Sequence, residues 1–172
     1  MLKNLLTSLV FGASFCAGLA VAQAPAPAPA PVPDAMPFDI PYGTPIGLDQ
    51  AKRVADAAMA DAKKRNWKMA ISIVEPSGDL IYFQKMDGTQ MASIKISQGK
   101  ARAAAIFRRP TQAFFEAMES GHPYVATLEG VVGSPGGIPL IENGKLIGAI
   151  GVSGGTGGQD AVVAKAGADT VK

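Results

Sequence analysis

Ser153 sits in Gly151-Val152-Ser153-Gly154-Gly155, a literal Gly-x-Ser-x-Gly between a strand-like run and a helix-like one. A nucleophile elbow of that kind needs an acid and a histidine after the serine. Fewer than twenty residues follow Ser153 and none is histidine, so acyl transfer has no base. The same glycines lack the following strand and acidic residue of a dinucleotide site, and no Gly-Lys-Ser or Gly-Lys-Thr marks a phosphate loop. Backbone chemistry remains. The amides from Gly154 to Gly158, opening the last helix, can hold a carboxylate or phosphate, or can serve a tight turn capped by Thr156.

His122 is the only histidine. That excludes a structural zinc site or a multi-histidine catalytic centre. Single-donor chemistry is left, with Tyr82, Met86 and Tyr124 as other conceivable donors. The competing role is a hydrogen-bonding residue in the Gly121-His122-Pro123 turn. Lys95, Lys100, Arg102, Arg108 and Arg109 form the one basic concentration, suited to an anionic group or to a solvated helix face. Glu75, Asp79 and Asp87 fall at turns and strand ends, normal places for acids, and nothing fixes them as a catalytic pair.

These residues need elements to hold them. Leu48, Ala51, Ala55, Ala58 and Ala62 recur at helical spacing, predicting a helix over 48–66 whose alanine stripe permits close packing. Runs over 69–75 and 80–86 flank Pro76-Ser77-Gly78-Asp79 and predict a hairpin. Helices are expected over 91–107 and 110–120, and a short strand near Val131. Asn143-Gly144 between two apolar runs is a second hairpin signal, and a helix is expected over 159–171. Hairpins imply an antiparallel sheet, and helices on either side of it imply packed layers.

The N-terminus reads differently. Lys3 precedes an apolar run from Leu5 to Leu19, and Ala20-Val21-Ala22 suits a cleavage site, so residues 1–22 are expected to be a signal peptide. Its removal takes the only cysteine, Cys16, and lowers the formal charge from +2 by the one unit of Lys3. A near-neutral chain gives no electrostatic case for nucleic acid or an anionic membrane surface. Residues 23–45 form an Ala/Pro-rich linker whose alternating tract favours a solvated polyproline II spacer. The folded domain is then 46–172, in a periplasmic or secreted setting.

Six ordered blocks carry a resemblance. They are Glu75-Pro76-Ser77-Gly78, Met86-Asp87-Gly88, Lys100-Ala101 with Ala104 and Phe107, Gly136-Gly137-Ile138-Pro139-Leu140, Gly148-Ala149-Ile150-Gly151-Val152-Ser153-Gly154, and Gln159-Asp160 with Gly167. Together they resemble the GlcG/HbpS-like family of haem-binding proteins, with departures at Glu75, where the family usually has Asp, and at Ala161. The resemblance implies an α+β, profilin-like α-β-α sandwich and assembly into homo-oligomers, often octamers. It implies haem or another tetrapyrrole as ligand, sequestered or sensed without an enzyme cycle of the protein's own. His122 is then the candidate iron ligand, since haem iron needs only one strong protein donor. Lys100 and Arg102 are candidates for the propionates, and Lys100, inside the Lys-Ala block, also for pairing with a carboxylate within the fold or across an interface. The alternative is a carboxylate-binding protein or enzyme, with Gly154 and Gly155 holding the acid and Lys100 or Arg102 assisting.

Overall fold

The computed structural model describes Val32, residues 34–36 and residues 38–171. The expected signal peptide and much of the linker lie outside the described residues. The elements run α1 (Leu48–Lys64), β1 (Ala70–Val74), β2 (Leu80–Lys85), α2 (Ser93–Ile106), α3 (Gln112–Glu119), a 3-10 turn (Pro123–Thr127), β3 (Gly137–Glu142), β4 (Lys145–Ser153) and α4 (Gly157–Ala168). The strands form one antiparallel sheet in the order β2-β1-β4-β3. Both hairpins form where turn chemistry predicts them. Asn143 and Gly144 take φ of 49° and 74°, the left-handed pair that a two-residue hairpin demands.

Strand alternation gives the sheet two unlike faces. Ile71, Ile73, Ile150 and Val152 join the main core, shared with the α1 stripe of Ala51, Ala55, Ala58 and Ala62 and with Val163 and Ala164 of α4. Leu48, placed in that stripe by its spacing, is instead 49% exposed, because it occupies the first helical position, beyond the sheet's reach. The opposite face carries small residues, and α2 lies directly on it. Ser72 hydrogen-bonds Ser97 at 2.9 Å, and Ala149 packs with Ala101, Ala104 and Ala105. A Cβ at Gly151 would run into the Ser97 carbonyl, and one at Gly137 into that of Lys100, so both positions must be glycine for α2 to sit so close. The architecture is the expected α-β-α sandwich, with α1 and α4 on one face and α2 on the other.

Two local expectations are corrected. No strand forms near Val131. Val131 and Val132 pack against Ala103, Phe114 and Val125 rather than pairing, and Gly130, Gly133 and Pro135 interrupt any longer run. The last helix starts at Gly157, two residues before Gln159. Thr156 is its cap: Gln159 N donates to Thr156 Oγ1 at 3.3 Å, and Thr156 N donates to Gln159 Oε1 at 2.9 Å.

The lead-in also packs on the fold before residue 46. Gly43 N donates to Leu146 O at 2.7 Å, and Leu146 N donates to Pro41 O at 2.8 Å. Arg108 donates to Ile40 O at 2.9 Å, and Arg109 lies 3.3 Å from the centre of the Phe38 ring. Burial, followed by the neighbouring charge of Arg108, lowers the Arg109 pKa. Among the described residues no helix is long and apolar enough to cross a membrane.

Candidate functional site

The sheet ends at Ala70, Lys85 and Ser153, which lie side by side, and the loops leaving these strands converge there. Residues 66–69, 88–90 and 154–155 enclose a cleft of about 390 Å³ with Gln159 at its rim. Trp67, Lys68, Gln90, Gly154 and Gly155 all face it. Gly154 is there because the chain passes against the Lys68 carbonyl, with no room for a side chain.

Lys100 and Asp160 lie behind this cleft. Lys100 leaves α2, Asp160 begins α4, and the pair ties the two helical layers together past the end of the sheet. Lys100 Nζ is 2.7 Å from Asp160 Oδ2 and donates to Pro135 O, also at 2.7 Å. The two side chains are 1% and 3% exposed. Asp160 Oδ1 accepts from Gly155 N at 3.0 Å. Lys100 has therefore paired with a carboxylate inside the fold, and its ammonium is closed to any ligand arriving from solvent. The Gly155 and Thr156 amides are likewise taken by the side chains of Asp160 and Gln159. These two amides thus serve the helix cap and the ion pair.

Arg102 is elsewhere. A Cβ at Gly78 would lie 2.8 Å from Arg102 Cγ, which places Arg102 beside the β1–β2 turn, across the length of β1 from Gly154. The structure brings Gly154, Gly155 and Lys100 to one end of the sheet, and Arg102 to the other. Glu75 and Asp79 meet around Ser77, whose Oγ lies 3.2 Å from Glu75 Oε1 and 2.8 Å from Asp79 Oδ2, with its one proton shared between them. Asp87 is at the far end of that hairpin.

His122 belongs to a third place. It is exposed, between α3 and the 3-10 turn, on the outer side of the α2 layer. Its backbone is held by a hydrogen bond from His122 N to Ala117 O at 3.0 Å, which wraps the end of α3. Its ring is oriented by Ser120. Ser120 Oγ donates to Ala117 O at 3.0 Å, so its one proton is used, and its lone pairs face His122 Nδ1 at 3.3 Å. A neutral imidazole whose Nδ1–H donates to Ser120 would leave Nε2 as its acceptor nitrogen. That is the tautomer a metal-ligating histidine adopts when its other nitrogen is held by an oxygen. Tyr124 meets the imidazole edge to face, 5.9 Å between centroids, and is 63% exposed. Among the described residues no group of three or more His, Cys, Asp or Glu is placed to hold a metal ion.

The fold and this lone presented imidazole define a small α-β-α sandwich of the profilin-like class. The chain belongs to the HbpS-like family, described as haem degrading proteins, whose pattern its residues 46–169 match. It is 39% identical over 103 residues to the protein GlcG of Escherichia coli K12, covering 60% of this chain and 77% of GlcG. A crystallised double mutant of Streptomyces reticuli HbpS superposes with a TM-score of 0.70 at 27% identity, covering 85% of this chain and 99% of that one. A PduOC–haem complex superposes with a TM-score of 0.68 at 22% identity, covering 75% of this chain and 96% of that one.

Proposed function

We propose that this domain binds haem or a closely related tetrapyrrole, with His122 Nε2 as the protein ligand to the iron. The observation that carries this reading is the Ser120–His122 arrangement, in which Ser120 Oγ spends its proton on Ala117 O and lies 3.3 Å from Nδ1, with the exposed ring's Nε2 turned to no protein partner among the described residues. A porphyrin supplies four equatorial nitrogens, so a single imidazole is a sufficient protein donor. The exposed side chains of Tyr124 and Leu128 offer apolar surface close by in the chain. The family's description and the haem-bound relative lend independent support.

A macrocycle laid on so open a surface keeps one apolar face in water. We propose that a second copy of the chain covers it, making the binding form a homo-oligomer. The N-terminal pattern supports export, so the ligand would be sequestered or sensed outside the cytoplasm. Haemin titration of the domain, followed by Soret absorbance beside the His122→Ala variant, tests the reading. A saturable, stoichiometric shift in the parent that is lost in the variant is expected. A shift retained in the variant moves the ligand to another residue, and no saturable shift in the parent ends the haem reading.

A further inference from the structure

A second groove adjoins the cleft at the sheet end, on the opposite side of Asn66 and Lys68, and has no part in the haem reading. It is about 440 Å³, between the end of α1 and the end of β2, within the size range of small-molecule sites, roughly 300–1,000 Å³. Three lysines line it, Lys63, Lys68 and Lys85, against one carboxylate, Asp87. Among the described residues the ion pairs are those of Arg65, Lys100 and Lys165, so none of these three lysines has an anionic partner. Lys68 is poised over the turn after β2, where a Cβ at Gly88 would lie 2.8 Å from its Nζ.

Gln84 supplies the second, independent observation. It pairs with Ile71 across the β1–β2 ladder, so it shares that residue's face of the sheet and points under α1. Gln84 lines the groove, yet its Nε2 is buried with no hydrogen-bond partner, the one such side-chain atom among the described residues. A buried donor without an acceptor is costly, and native structures keep few of them. The terminal torsion of glutamine is broad, so a rotation of the amide would present this donor to a guest in the groove.

We propose that this groove binds a small organic acid. Its carboxylate is held by Lys63, Lys68 and Lys85, a further oxygen accepts from the Gln84 amide, and its carbon body lies along Met59 and Met86, which also line the groove. The thioether side chains select an organic anion over inorganic phosphate. This site is on the α1 layer and His122 is beyond the α2 layer, so the proposal stands apart from the haem reading.

Calorimetric titration with succinate is the test, with succinamide and inorganic phosphate as companions. Saturable succinate binding is expected, weakened by salt, absent with succinamide and weaker with phosphate. Lys68→Gln should weaken it about tenfold, the size of one lost charge-assisted hydrogen bond. Lys145→Gln, on the distant β3–β4 turn, and His122→Ala should leave it unchanged. Gln84→Leu should weaken binding while raising the urea midpoint of the unliganded protein, because it removes the orphan donor. The proposal is overturned by the absence of saturable succinate binding, by phosphate binding more tightly, or by affinity unchanged in both Lys68→Gln and Gln84→Leu.

Discussion

Lys100 shows how a residue that looks chemically available can be structural. Its ammonium meets Asp160 Oδ2 and Pro135 O and is shut from water. Removing one member of such a pair leaves the other charged and buried, at a cost of about 3–5 kcal/mol. Lys100→Met should lower stability by about that amount, measured by urea unfolding. Lys100→Met combined with Asp160→Asn should recover about half of the loss. No lone charge then remains, and the amide oxygen put in place of the carboxylate can still accept from Gly155 N. A single-variant loss below about 1 kcal/mol would show that water reaches the pair after all. A cue to this burial was present in the chain: Lys100 shares a helical stripe with Ser93, Ser97, Ala101 and Ala104, all buried. Asp160, sixty positions further on, could be matched to it only once the sheet had placed α2 and α4 on opposite faces.

At the scale of elements, the close seat of α2 rests on glycine. Gly151→Ala would push a methyl group into the Ser97 carbonyl, and neither strand nor helix has slack to yield. Overpacking of that kind typically costs about 1–3 kcal/mol. Gly158→Ala is the counter-case, in the first turn of α4 with nothing within 4 Å of the added atom. It should stabilise by about 0.5–1 kcal/mol through helix propensity. Thermal unfolding of the two variants checks both signs, and equal effects would contradict this account of the packing. The contrast also explains what was legible. Asn143-Gly144 and the turn at 76–79 announce their hairpins locally, and the α1 alanines announce a buried stripe. Val131 and Val132 look strand-like because they are apolar, but their burial comes from Phe114 and Val125, a tertiary contact with no local signature. Arg108 and Arg109, suited by sequence to an anionic group or a solvated helix face, clasp Ile40 and Phe38 of the lead-in just past the end of α2.

For the whole molecule, the sandwich was readable from hairpins, helix periodicity and the glycine blocks, whereas the sites were readable only in part. Gly154 and Gly155 do border a cleft, but its other walls come from Trp67, Lys68 and Gln90, in loops that meet only because β1, β2 and β4 end together. Arg102 and Lys100 are two positions apart in the chain, yet one points toward the β1–β2 turn and the other into the core. His122 stands alone on the outer layer, and its chemistry depends on Ser120, a neighbour visible in the chain whose hydrogen bond to Ala117 is not.

Because His122 is the only histidine, selective ¹⁵N-histidine labelling yields the two ring nitrogens of a single imidazole. We would record them by NMR at about pH 8, above the ordinary histidine range, before and after adding a diamagnetic metalloporphyrin. We predict the Nδ1–H tautomer in the free protein, and a large shift confined to Nε2 when the porphyrin binds. An Nε2–H tautomer whose resonances do not move on saturation with the porphyrin would contradict the assignment of His122 as the iron ligand.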